Sequence, residues 1–116
     1  MRSPAAEARA GAPIFAALGD ETRLRIVAKL STAGPMSIAR LTEGEDMTRQ
    51  AITKHLGVLS DAGLVRDVWH GRERRWALEL SPLEIARRYL DGVSQRWDGA
   101  LARLAAMVED DERDDD

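Results

Sequence analysis

Residues 47–65 read MTRQAITKHLGVLSDAGLV, and this stretch decides the fold. Thr48 is a typical N-cap residue and Gly63 a typical residue after a helix end, so a helix is predicted from Thr48 to about Ala62. Its buried side is predicted to be a narrow apolar stripe formed by Ile52, Leu56 and Leu59. Its opposite side carries polar and small residues, namely Gln50, Thr53, Lys54 and Gly57.

The pattern changes from helical to alternating after Gly63. Residues 64–70 contain Val and Trp, residues 74–80 carry Trp76, Leu78 and Leu80 at alternating positions, and the two segments flank Gly71–Arg72–Glu73. Two such segments around a short loop with glycine predict a β-hairpin.

Toward the N-terminus, the chain alternates helical segments with breaks. Residues 1–12 are rich in alanine and are predicted to be a disordered arm, followed by a short helix over 13–18 with Pro13 in its first turn. Asp20 is predicted to cap a second helix, with Leu24, Val27 and Leu30 on one face and Ile26 beside them. Ser37 is predicted to cap a short helix over 38–42, and residues 43–46 form a turn.

The last helix, predicted to start at Ser81–Pro82, carries a heptad pattern. Leu83, Leu90, Trp97 and Leu104 recur every seven residues, with a second series, Ala86, Val93, Ala100 and Met107, three places later. An apolar seam of this length is typical of a helix that packs against a second copy of itself. The alternative is that the seam only closes the core of one chain.

The predicted order of elements is α-α-α-α-β-β-α. The fold class is therefore mainly α with a small β-hairpin, arranged as a winged helix-turn-helix. We expect three segments, namely a disordered arm over 1–12, one DNA-binding and dimerisation domain over 13–108, and a disordered acidic tail over 109–116.

Charge is unevenly distributed along the chain. The net charge is −3, but the segment 109–116 alone holds seven acidic groups and one basic group. Residues 48–80 hold six basic and four acidic groups, so the positive excess lies on the predicted helix and hairpin. The acidic segment is interpreted as a solubility tail, and the alternative is a tail that competes with DNA.

Composition excludes several classes of function. The chain has no cysteine, which rules out disulfides, thiol catalysis and thiolate metal sites. No constellation of catalytic residues stands out, and His55 is interpreted as a packed or capping residue. We therefore expect no enzyme activity, no metal and no cofactor. Without a membrane-spanning run or a secretion signal, we expect a cytoplasmic location.

The polar face of the helix over 48–62 suits the major groove of DNA. Gln pairs with adenine through two hydrogen bonds, Thr offers a hydroxyl and a methyl group, and Lys reaches guanine or phosphate. Arg49 lies in the first turn, where phosphate is also favoured. The alternative is an ordinary solvated helix face.

The hairpin tip is basic, and four of its side chains are candidate contacts to the flanking DNA backbone, namely His70, Arg72, Arg74 and Arg75. The alternative is that these charges only protect an exposed strand edge.

Three blocks of the sequence resemble the ArsR family of bacterial winged-helix repressors. They are LGDETRLRIVAKL at 18–30, MTRQAITKHLGVLSDAGLV at 47–65 and HGRERRWAL at 70–78. The resemblance implies that the base-reading helix includes Thr48, Arg49, Gln50, Thr53 and Lys54, and that the wing includes Arg72, Arg74 and Arg75. It also implies a homodimer that binds an inverted repeat of double-stranded DNA.

In that homodimer the first and last helices form the interface. Its expected residues are Ile14, Phe15, Leu83, Leu90, Val93, Trp97, Leu101 and Leu104. Metal-sensing members carry cysteine or histidine ligands that this chain lacks, so the resemblance is to a cysteine-free branch. The residues identify no small-molecule inducer. The competing hypothesis is a winged-helix module that binds other proteins and not DNA.

Overall fold

The computed structural model describes residues 3–114, and that part of the chain contains five helices and one hairpin. The elements are α1 (Pro4–Leu18), α2 (Glu21–Ala33), α3 (Ile38–Thr42), α4 (Arg49–Asp61), β1 (Val65–His70), β2 (Glu73–Leu78) and α5 (Leu80–Asp114). The predicted fold class, a mainly helical chain with a winged helix-turn-helix order, is confirmed.

Three of the predicted N-caps are present with the expected hydrogen bond. The side chains of Asp20, Ser37 and Thr48 each accept from the backbone N–H three residues later, at 3.0, 3.3 and 3.1 Å. These bonds satisfy N–H groups that have no partner within a helix, and they fix where α2, α3 and α4 begin.

Both terminal helices are longer than the sequence predicted. Helix α1 begins at Pro4, capped by Ser3, so the predicted arm is helical from Pro4 onward and Pro13 lies inside the helix. Helix α5 continues through 109–114, where a disordered acidic tail was predicted. Each residue added to an existing helix forms one more backbone hydrogen bond. Residues 100–114 contain no Gly or Pro that would end the helix. Residues 1, 2, 115 and 116 of the two predicted segments lie outside the described residues.

The core lies between α2, α3, α4 and the base of the hairpin. Its six largest fully buried side chains are Ile26, Leu41, Ile52, Leu56, Leu59 and Leu64. The apolar stripe predicted for α4 is confirmed, whereas the stripe predicted for α2 is confirmed only in part. Leu30 is buried and Val27 packs against the core, but Leu24 is 52% exposed. The buried residues of α2 are Thr22, Ile26 and Leu30, which follow one another at a spacing of four.

The hairpin is antiparallel, with His70 opposite Glu73 at its tip. Gly71 has φ +63° and no other residue of the turn has a positive φ, as a two-residue turn with glycine at its first central position requires. On the edge of β2 that faces away from β1, Trp76 pairs with Met36. The Trp76 N–H donates to the Met36 carbonyl at 2.8 Å, and the Met36 N–H donates to the Trp76 carbonyl at 3.0 Å. Because Met36 directly precedes the cap of α3, the hairpin is hydrogen-bonded to the helix-turn-helix.

Helix α5 projects beyond the rest of the molecule. The radius of gyration is 20.6 Å, against about 13 Å expected for a compact chain of this length. The start of α5 packs against α1, where the rings of Phe15 and Tyr89 meet edge to face at 5.7 Å. Despite its length, neither α5 nor any other described helix is apolar enough over a sufficient span to cross a membrane.

Candidate nucleic-acid interface

The polar side of α4 is open to solvent. Five predicted base-reading residues are exposed, namely Thr48, Arg49, Gln50, Thr53 and Lys54. Four of them, together with Ile38 at the start of α3, line a shallow depression in the surface. The burial of Ile52, Leu56 and Leu59 on the other side keeps this face outward, so the helix presents a continuous row of hydrogen-bonding groups.

Thr48 and Thr53 are partly engaged within α4 itself. Thr48 caps the helix through its hydroxyl oxygen. The Thr53 hydroxyl donates to the Arg49 carbonyl at 2.8 Å, so its oxygen remains available only as an acceptor. Among the residues that the structure describes, Arg49, Gln50 and Lys54 make no side-chain hydrogen bond or ion pair. These three side chains therefore carry the free donors of the face.

Two of the wing arginines are paired with carboxylates. Arg75 donates to Glu73 at 2.5 Å, and Arg74 donates to Asp67 at 3.1 Å. The hydrogen bond from Arg75 holds the pKa of Glu73 below its usual value, so this carboxylate stays charged at neutral pH. Within the described residues Arg72, in the turn, makes no ion pair, so it is the least restrained cation of the wing.

A partly buried ion cluster behind the interface was not foreseen from the sequence. Glu45, in the turn between α3 and α4, has a side chain only 6% exposed and lies between Arg25 and Lys29 of α2. Hydrogen bonds from Arg25, and to a lesser extent from Lys29, hold the pKa of Glu45 below its usual value. The sequence predicted only a turn here, because the two partners lie 20 and 16 residues away.

His55 joins α4 to the start of α2. Its Nδ1 lies 3.2 Å from Arg23 Nη1 and 3.8 Å from the carboxylate of Asp20, and its side chain is 21% exposed. The Arg23 backbone N–H, followed by the charges of Arg23 and His55, lowers the pKa of Asp20. This arrangement agrees with a packed histidine.

The predicted interface residues fall into two groups. Ile14 is 5% exposed in the core of the single chain, and Phe15 and Leu83 are half-buried against that core, which leaves little of Ile14 for a second subunit. The remaining five are between 40% and 63% exposed along one side of α5, namely Leu90, Val93, Trp97, Leu101 and Leu104. Met107 and Val108 continue the exposed apolar seam at 66% and 50%.

The described residues contain no group of three His, Cys, Asp or Glu side chains placed to hold a metal ion. Two acidic side chains near the start of α5 are paired with arginines along the helix. Glu84 contacts both Arg87 and Arg88, and Asp91 lies 3.5 Å from Arg87.

Comparison with known proteins places these features in a family context. A family described as a helix-turn-helix domain matches residues 18–68. The HTH-type transcriptional regulator Rv2034 of Mycobacterium tuberculosis is 36% identical over 99 residues, which cover 85% of this chain and 88% of the relative. The arsenical resistance operon repressor of Escherichia coli is 37% identical over 82% of this chain and 79% of its own. Among solved structures, an ArsR-like transcriptional regulator from Rhodococcus sp. RHA1 matches with a TM-score of 0.71 and 37% identity, over 85% of this chain and 92% of that one.

Proposed function

Because the chain belongs to the ArsR family of DNA-binding winged helix-turn-helix transcriptional regulators, we propose that it acts as a homodimeric repressor on an inverted repeat. The observation that carries this proposal is the exposed face of α4, whose free side chains are Arg49, Gln50 and Lys54. Such side chains reach base edges in the major groove, while the arginines of the wing reach flanking phosphates. A repressor that reads chromosomal DNA works in the cytoplasm of a bacterial cell.

The exposed apolar side of α5 supports the proposal that the protein pairs with a second copy of itself. Its exposed seam places large apolar side chains in contact with water from Leu90 to Val108, in a heptad spacing that a facing helix covers. A two-fold axis through this seam would relate two α4 helices by the same symmetry that relates the two halves of an inverted repeat. We propose that DNA reading and dimerisation both lie within residues 13–108, and that 109–116 is dispensable for them.

The repressor role is carried over from the arsenical resistance relative, but its metal chemistry is not. That relative is named for arsenical resistance. This chain has no cysteine, so it lacks the thiolates that soft metals and arsenic prefer. We propose that zinc, cadmium and arsenite leave the DNA affinity of this protein unchanged.

Selection of bound sequences from random duplexes tests the proposal with the full chain. We expect an inverted repeat with half-site centres about 10–10.5 base pairs apart, or a multiple of that spacing. Binding to the selected duplex should weaken by about 10³–10⁵-fold between 50 and 200 mM salt if roughly 6–10 phosphates are contacted. Enrichment of no sequence, together with a flat salt response, would contradict DNA reading and favour a module that binds proteins.

A further inference from the structure

The turn between α3 and α4 is held to α2 by one carboxylate. Glu45 accepts three hydrogen bonds from Arg25, at 3.0, 3.1 and 3.2 Å, and one from Lys29 Nζ, at 3.0 Å. Arg25 is itself fixed on α2 by Thr22, at 3.1 Å, and by Glu21, at 3.0 Å. The fork of a guanidinium on a carboxylate restrains both distance and orientation.

Lys29 fixes the same turn at a second level. Its Nζ also donates to the carbonyl oxygen of Leu41 at 3.1 Å and lies 3.4 Å from that of Glu43, so it satisfies acceptors at the end of α3. The Glu45 backbone N–H donates to Thr42 at 3.0 Å, and Gly44 has φ +77°. One ammonium group therefore joins α2 to the end of α3 and to the start of the path into α4.

If long-range electrostatics were its only effect, the negative charge of Glu45 would weaken DNA binding. DNA is a polyanion, and Glu45 precedes α4, the helix that is proposed to read it. The carboxylate is also buried, so it depends on its two cations for compensation. A positioning role and a simple charge effect therefore predict opposite results when the charge of Glu45 is removed. If Glu45 acts only by its charge, the affinity for DNA rises; if it positions the turn, the specific affinity falls.

We propose that Glu45 is a positioning residue for DNA recognition: it holds the turn so that the α4 face is presented in one orientation. The proposal rests on the proposed function of α4. Without these hydrogen bonds to Glu45, only a fraction of molecules has the turn arranged for specific binding, and the specific affinity falls to that fraction of its original value. Non-specific binding does not need that arrangement and is expected to stay the same or tighten.

The test compares Glu45→Gln with Glu43→Gln in the full chain. The second variant removes the same charge two residues away from a side chain that makes no ion pair in the described part of the chain. Fluorescence anisotropy is measured with the selected duplex and with a scrambled duplex. We expect Glu45→Gln to lose roughly tenfold in specific affinity, as for a competent fraction of about a tenth. Binding of Glu45→Gln to the scrambled duplex is expected to stay the same or tighten, with an unchanged salt slope. Glu43→Gln is expected to bind both duplexes at least as tightly as the parent. Glu45→Asp, which keeps the charge, is expected to recover part of the loss.

Unchanged or tighter specific binding by Glu45→Gln would overturn the proposal, and so would an equal loss on both duplexes. If Glu45→Gln fails to fold, Arg25→Lys is measured in its place, because it keeps the positive charge but loses the fork. Hydrogen exchange of residues 43–48 without DNA separates this inference from the proposed function. Faster exchange in Glu45→Gln than in Glu43→Gln supports the role of Glu45 in holding the turn, even if no duplex is bound specifically. Equal exchange in the two variants overturns that role.

Discussion

The guanidinium of Arg74 lies over the ring of Trp76, with its Cζ 4.6 Å from the ring centroid, while its Nε donates to Asp67. Trp76 is buried, so this contact fastens Arg74 to the body of the hairpin. Arg72, at the turn, has no such restraint among the described residues. The two arginines, which the sequence placed together as wing contacts, therefore differ in their freedom to meet phosphate.

Replacing Arg72 with alanine is expected to weaken binding to every duplex alike, because a phosphate contact carries no sequence information. The salt slope should fall by about one for each subunit. Arg74→Ala is the matched comparison and is expected to lose less affinity. The charge of Arg74 is already paired with Asp67, and its guanidinium is held over Trp76, so less of it is available to phosphate. Anisotropy titrations over a salt series measure both, and a larger loss for Arg74→Ala would contradict this ranking.

Replacing Gln50 with alanine is expected to cost about 1–3 kcal/mol on the selected duplex and to relax base preference at one position of each half-site. The Gln50 side chain is exposed and makes no hydrogen bond within the described residues, so the fold should keep its stability. Ser60→Ala, in the last turn of the same helix, is the control. Repeating the duplex selection with both variants gives the answer, and an unchanged preference for Gln50→Ala would mean that the reading face is assigned wrongly.

Replacing Trp97 with glutamate is expected to yield monomers and to abolish binding to the inverted repeat. The change places a charge in the middle of the exposed seam, where a facing helix would have to bury it. Leu24→Glu makes the same kind of change at an exposed apolar residue outside α5 and should stay dimeric. Sedimentation of each variant provides the measurement. A dimeric Trp97→Glu would show that the seam is not the interface.

Acid is expected to destabilise the protein partly through Glu45. Its pKa is lowered in the folded chain, first by Arg25 and then by Lys29. A carboxylate with a lowered folded pKa stabilises the fold above its unfolded pKa, and this contribution disappears as the pH falls through the folded pKa. Chemical unfolding from about pH 6 to pH 3 should therefore show a steeper loss of stability for the parent than for Glu45→Gln. Equal slopes would mean that the ion cluster adds nothing to folding stability.

The sequence predicted those parts of the fold that depend on neighbouring residues. The caps of α2, α3 and α4 and the turn at Gly71 follow from side chains within a few positions of each bond. The polar face of α4 could also be predicted, because its buried stripe has a regular helical spacing.

The errors concern features that depend on distant contacts. Pro13 was interpreted as a helix start, yet α1 runs through it and packs against α5. On α2, several apolar residues could face inward, and only the position of the other helices selects Ile26 over Leu24. For Glu45 the sequence predicted only a turn, because its two cations lie far away in the chain.

The backbone bonds between Met36 and Trp76 connect the hairpin directly to the residue that precedes the cap of α3. They therefore restrain the distance along a duplex between the bases read by α4 and the phosphates reached by the wing. A natural regulatory site with one extra base pair between those two contact points would engage the helix or the wing, but not both. Genomic sites for this protein should therefore tolerate base changes under the wing far better than insertions beside it.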